Sequence, residues 1–227
     1  MLALHLIPTQ VDPQTVQRLW RDLVREERDR ADRFLKPSDR ARYVVTRSTL
    51  RTRLAECIDR PADQVTIRIA TGGKPVLAAP QDTLHFNVSH AGDWAMIAIA
   101  NYAVGIDIEQ RREIDTTAFG HPFFSIFESE FIRTAADTRA AFFDLWVAKE
   151  AWLKATGQGL SGLHAAPDMA GLLQGSSVPQ AHTHWIPVDG DVDRPTQHLS
   201  WLAVATGYHA AISVITPVAP PVIEIKD

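Results

Sequence analysis

A helix with almost no polar face cannot rest on a protein surface, and the stretch from Phe142 to Gly157 reads as such a helix. Phe142, Phe143, Leu145, Trp146, Val147, Ala148, Ala151, Trp152, Leu153 and Ala155 occupy nearly all of its circumference, so other elements have to wrap it. Trp146, Glu150 and Lys154 are spaced by four and share one stripe. Two readings of that stripe stand. Either Glu150 and Lys154 are a solvated pair giving a few tenths of a kcal/mol of helix support, or Glu150 is a semi-buried carboxylate that requires a cation nearby.

With 227 residues, 45% of them hydrophobic, the chain can supply one large core or two small ones packed together. Leu2, Leu4 and Leu6 alternate as on a half-buried strand that stops at Pro8. The spacing predicts a helix from about Pro13, capped by Asp12, and a second after Pro37, capped by Ser38. The second helix is expected to bury Val44, Val45, Thr49, Leu50 and Leu54. Val65–Ala70, Leu84–Ser89 and Trp94–Ala100 read as strands, the last two joined by the turn His90-Ala91-Gly92-Asp93. A looser copy of this plan follows: a strand at Val104–Glu109, helices between roughly Glu128 and Thr156, then strands near His184–Val188, Leu199–Ala205 and His209–Ile215. The expected fold class is therefore α/β (α+β), with halves 1–102 and 103–216 divided after Asn101–Tyr102. Gly157–Gln180 is expected to be loop, and Pro217–Asp227 an extended tail.

Chemistry concentrates at a few points. On a strand through Val104–Glu109, Val104, Ile106 and Ile108 share one face, and Gly105, Asp107 and Glu109 share the other. Two carboxylates two residues apart can grip a hard cation such as magnesium through oxygen, or they can simply face water on an amphipathic strand. In Phe86-Asn87-Val88-Ser89-His90, polar groups end a strand where donors can converge on a ligand. Gly73-Lys74-Pro75 sets a cation in a turn. Between Arg18 and Arg53, eleven arginines and Lys36 face six acids, a local +6 that leaves −10 on the remainder. Such a segment suits a phosphate or carboxylate partner. The interleaved acids and the negative remainder oppose a nucleic-acid duplex. His182 and His184 would share a strand face without a third zinc ligand nearby. Dinucleotide-binding, Walker and nucleophile-elbow motifs are absent.

In this order and spacing, these pieces resemble the surfactin-type family of 4′-phosphopantetheinyl transferases. The matching runs are Gly73-Lys74-Pro75, Phe86–His90, Val104–Glu109, Trp146–Lys154 and Gly157-Gln158-Gly159-Leu160-Ser161. The resemblance implies two pseudo-symmetric halves, each with helices on a small antiparallel sheet, and an active site in the cleft between them. It implies magnesium held by Asp107, Glu109 and Glu150. It also implies coenzyme A as co-substrate, in contact with Arg30, Gly73, Lys74, Pro75, Asn87, Ser89, His90 and Lys154, with His90 near the 3′-phosphate. Lys154 would stand beside the reacting phosphate. Glu128, after Phe123-Phe124-Ser125, takes the place of another family acid. The implied reaction moves the 4′-phosphopantetheine arm to a serine of an apo acyl or peptidyl carrier protein and releases 3′,5′-adenosine bisphosphate. Glu150, Glu128 or a water on the metal would take the serine proton.

Two other readings remain open: another magnesium-dependent phosphohydrolase or nucleotidyl transferase, and a non-catalytic module that binds coenzyme A or a carrier protein. The first leaves the Lys149-Glu150 helix unexplained; an intact trio of acids argues against the second. The apolar start Met1–Ile7 is interrupted by His5, stopped by Pro8 and lacks signal-peptide features, and no run approaches membrane-spanning length. A lone cysteine, Cys57, favours a reducing compartment. A cytoplasmic monomer is the resulting expectation.

Overall fold

Alternating leucines form β1 (Leu2–Pro8), which pairs antiparallel with β5 (Trp94–Ala100), itself hairpinned to β4 (His85–Ala91). The computed structural model describes residues 1–80, 83–114, 123–175, 185–189 and 196–226. Ala91 pairs with Trp94, so the turn between β4 and β5 is only Gly92-Asp93, tighter than the four residues expected. Gly92, at φ 52°, supplies the left-handed conformation that a two-residue turn demands.

Three helices flank this sheet: α1 (Pro13–Arg21), α2 (Arg25–Ala31) and α3 (Pro37–Ile58). Asp12 caps α1 as expected, accepting from the Thr15 amide at 2.9 Å. In α3 the cap position falls to Lys36, not Ser38: Pro37 opens the helix, because its fixed φ suits the first turn and its missing N–H leaves no donor unsatisfied. The expected apolar face of α3 is buried, except that Thr49 is half-buried while Thr46, Ser48 and Arg51 go inside. Arg51 is accommodated by Glu27 of α2, whose carboxylate lies 2.6 Å from Arg51 Nε and 2.5 Å from Arg47 Nε. Arg51 Nη1 also donates to the carbonyls of Ala62 (2.6 Å) and Val65 (3.0 Å). Two arginines of the basic segment thus lock α2 to α3.

Past the short β2 (Ile67–Ile69) and β3 (Pro75–Leu77), the chain enters β6 (Ala103–Gln110), the first strand of a second antiparallel sheet. Its other strands are β7 (Ile186–Asp189), β8 (Thr196–Leu202) and β9 (Tyr208–Thr216), in the order β6-β9-β8-β7. On this sheet lies α5 (Thr138–Thr156), preceded by α4 (Ile126–Thr134). The expected wrapping is complete, for Phe143, Leu145, Val147, Ala148 and Ala151 of α5 are all fully buried. Val104, Ile106 and Ile108 on the opposite face of β6 pack with Met96, Ala98 and Ala100 of β5, filling the space between the sheets.

One segment departs from expectation, and the tail adds a strand to what was expected of it. Where Gly157–Gln180 was expected to be loop, residues to 175 form a 3-10 turn (Gly159–Ala165) and a helix, α6 (Met169–Gly175). Met169, Ala170 and Leu173 hold α6 by burying against the α4–α5 cluster. The tail after Pro217 runs extended, buries Ile223, and ends as β10 (Ile225–Lys226), parallel to β1. His182 and His184 lie outside the described residues.

A buried ion pair ties α4, α5 and α6 together. Glu128 is 0% exposed, and its carboxylate accepts from the Ser125 amide (2.8 Å) and the Met169 amide (2.9 Å). Its cation is Lys149 of α5, 2.6 Å away, which also donates to the Phe123 carbonyl at 3.2 Å. The seam between α5 and β6 is set by Gly105, since a Cβ there would collide with the Ala151 carbonyl and the Ala155 amide.

Gly105→Ala should therefore cost about 3 kcal/mol through overpacking, read as a lowered urea midpoint; an unchanged midpoint would mean the seam can yield. Lys149→Met should cost about 3–5 kcal/mol, because it strands the Glu128 charge. The double change Lys149→Met with Glu128→Gln should lose less than the single one, and equal losses would refute the pairing.

Candidate active site

Alternation along β6 aims Asp107 and Glu109 at α5, and the close approach at Gly105 brings Glu150 and Lys154 of α5 over them. Asp107 is 4% exposed. Its Oδ1 accepts from Ser89 Oγ at 2.7 Å and from Lys154 Nζ at 2.6 Å, while Lys154 also reaches Ser89 Oγ at 3.3 Å. Its Oδ2 is buried and has no hydrogen-bond partner among the described residues. Burial pushes the Asp107 carboxyl above its ordinary range; the Lys154 ammonium and the Ser89 hydroxyl act against this, and the Glu109 charge adds to it. Glu150, half-buried, is likewise raised by burial, with Lys154 opposing and the charges of Asp107 and Glu109 adding. Glu109 is engaged at its outer side by Arg112, 2.7 Å away.

The three acids thus share one electrostatic neighbourhood. As they stand, no three His, Cys, Asp or Glu side chains among the described residues are drawn together closely enough to hold a metal ion. Lys154 and Arg112 supply the positive charge instead. A hard divalent cation nevertheless fits the donor set: all three groups offer carboxylate oxygen, and Asp107 Oδ2 is a buried acceptor with no donor among the described residues.

A cavity of about 240 Å³ opens on the N-terminal side, lined by Arg30, Tyr43, Arg47, Pro75, Asn87 and His90 among others. Arg30 lies with its guanidinium carbon 5.4 Å from the centre of the Tyr43 ring. The His90 imidazole is held below the ordinary histidine range, first by partial desolvation and then by the Arg42 guanidinium, with the Lys154 charge also reaching it. Sequence reasoning did not single out Tyr43, Thr46 and Arg47, and it assigned Leu50 to the core alone; the four stand at i, i+3, i+4 and i+7 on α3 and line this cavity together. That period was the available signal.

The remaining predicted residues stand differently. Asn87 lines the cavity, but its Oδ1 accepts from the Ile106 amide at 2.9 Å and so braces β4 against β6. Gly73, at φ 86°, shapes the turn between β2 and β3. Lys74 turns its ammonium into the carbonyls of Val104, Lys154 and Ala155. The structure does not bring Glu128 into the group. Enclosed and paired with Lys149, it has no open oxygen with which to serve a substrate, so its expected catalytic role finds no support. Among the described residues, no helix is long and apolar enough to cross a membrane.

Comparison with known proteins identifies a family. Residues 10–102 match a family described as 4′-phosphopantetheinyl transferase, N-terminal, and residues 103–212 match the 4′-phosphopantetheinyl transferase superfamily. The chain is 30% identical over 156 residues to 4′-phosphopantetheinyl transferase gsp of Aneurinibacillus migulanus, covering 68% of this chain and 64% of that protein. It is 37% identical over 138 residues to 4′-phosphopantetheinyl transferase psf-1 of Bacillus pumilus, covering 60% and 58%. With 4′-phosphopantetheinyl transferase HetI of Nostoc it shares 35% identity over 164 residues, 69% of each chain. The match thus spans less than two thirds of the first two relatives. Two adjoining family matches and an arrangement of acids, lysine and cavity across two sheets lead to one statement: the chain belongs to the 4′-phosphopantetheinyl transferase superfamily.

Proposed function

We propose that this chain is a surfactin-type enzyme that transfers the 4′-phosphopantetheine arm of coenzyme A to a serine hydroxyl of an apo acyl or peptidyl carrier protein. The observation that carries the reading is Asp107, buried between Ser89 and Lys154 with one carboxylate oxygen unpartnered, beside Glu150. Residues 1–102 would carry the nucleotide contacts and residues 103–216 the acids. The lone Cys57 supports a reducing, cytoplasmic setting, and two halves within one chain support a monomer.

Arg30 and His90 would hold the nucleotide end of coenzyme A in the cavity they line. Magnesium, when bound by Asp107, Glu109 and Glu150, would offset negative charge on the pyrophosphate. The carrier serine oxygen forms a bond to the phosphorus that bears the pantetheine arm. The bond from that phosphorus to the bridging oxygen breaks, and 3′,5′-adenosine bisphosphate leaves. Lys154 supplies positive charge where the leaving phosphate becomes more negative. Glu150 receives the serine proton, a role supported by its place on the Lys154 stripe of α5 in the neighbourhood of Asp107.

Incubation of the protein with coenzyme A, magnesium and an apo carrier protein should add the mass of the arm to the carrier. No mass gain on a panel of fatty-acid, polyketide and nonribosomal-peptide carriers would defeat the proposal. Asp107→Asn and Glu150→Gln should each lower turnover by about 10²-fold or more while circular dichroism stays that of wild type. Near wild-type turnover in either would remove that residue from the mechanism.

A further inference from the structure

The turn Gly72–Pro75 holds a lysine that does not face the nucleotide cavity with its charge. Lys74 Nζ lies 2.5 Å from the Lys154 carbonyl, 3.0 Å from that of Val104 and 3.5 Å from that of Ala155. An ammonium has three N–H donors, and here each has an acceptor. The acceptors share a meaning. Lys154 and Ala155 are in the last turn of α5, where carbonyls lack intrahelical partners and the helix dipole is negative. The Leu153 carbonyl is already served by the Gly157 amide at 2.9 Å, so Lys74 completes the capping of this helix end. Val104 lies on β6 one residue before the Gly105 seam.

The surroundings fit this contact. A Cβ on Gly72, at φ 107°, would come within 3.3 Å of the Gly157 carbonyl, so the turn lies directly against the helix cap. Burial pushes the Lys74 ammonium down to about 8, a cost that the three carbonyls offset by favouring its charged form. The backbone of Lys154 is gripped by Lys74 while its own ammonium stands 2.6 Å from Asp107. A shift of that last turn would move the Lys154 side chain.

We propose that Lys74 is a positioning residue: its ammonium fastens the N-terminal half to the end of α5 and the start of β6, and thereby aims Lys154 at Asp107 and at the reacting phosphate. The last clause rests on the transferase reading above; the fastening itself does not. Lys74 then supports turnover through another residue instead of binding the coenzyme with its charge.

Lys74→Met keeps the aliphatic stem and removes the donors. Expected are a fall in kcat of about tenfold or more, KM for coenzyme A changed by less than about threefold, and faster hydrogen exchange at the Gly157 amide. Val16→Ala, which trims the packing of α1 on α3, controls for plain destabilisation and should keep kcat. A rise of about tenfold in KM or in the calorimetric Kd for coenzyme A, with kcat retained, would overturn the proposal in favour of a nucleotide contact. So would unchanged exchange at Gly157, or a kcat loss no greater than that of Val16→Ala. Should wild type itself modify no carrier, the transferase reading fails, while exchange at Gly157 and coenzyme A binding still decide whether Lys74 is a fastening.

Discussion

The contact on which the rest depends is the one between two backbones, that of β6 at Gly105 and that of α5 between Ala151 and Ala155. No side chain intervenes there. Because the helix can approach this closely, Glu150 and Lys154 reach a strand whose polar face would otherwise be closed off under a layer of aliphatic carbon. The same approach buries Asp107, which raises the cost of its charge and makes a cation beside it close to obligatory. Lys154 fills that need in the structure described here. A packing requirement and an electrostatic one are therefore met at adjacent turns of one helix.

Polar side chains from the first sheet reinforce this seam. Asn87 accepts from the Ile106 amide and Ser89 donates to Asp107, so two buried positions on one face of β4 hold two successive residues of β6. Hydrogen bonds across a buried boundary fix register in a way that apolar packing does not, since a slip by one residue would leave each group unpaired. The interior between the sheets is apolar, yet its small and branched side chains would tolerate several relative placements. The polar contacts select one of them.

Much of this was legible in the residues. Period-two alternation assigned the two faces of β6, and the apolar circumference of α5 required that it be wrapped. Helical spacing set the inward face of α3, apart from Thr49. What escaped notice shares a physical cause: it depends on partners distant in sequence. Lys74 looks like a loop lysine until Val104 and Lys154 are folded against it. Glu128 resembles a candidate acid until Lys149 neutralises it, and Arg51 a candidate anion binder until Glu27 does the same. The helix α6 was hidden by glycine, serine and proline on either side, though Met169, Ala170 and Leu173 carry its packing.

The return of the tail has a mechanical effect. Residues 103–216 leave the first sheet directly after β5 and are brought back to it at β10, beside β1. The second sheet and its helices are thus attached at two separated points to a single partner, like a door hung on two hinges. Separating the halves outright would require peeling Ile225–Lys226 from β1 and withdrawing Ile223 from the interior, besides breaking the contacts that Lys74, Asn87 and Ser89 make with the second half.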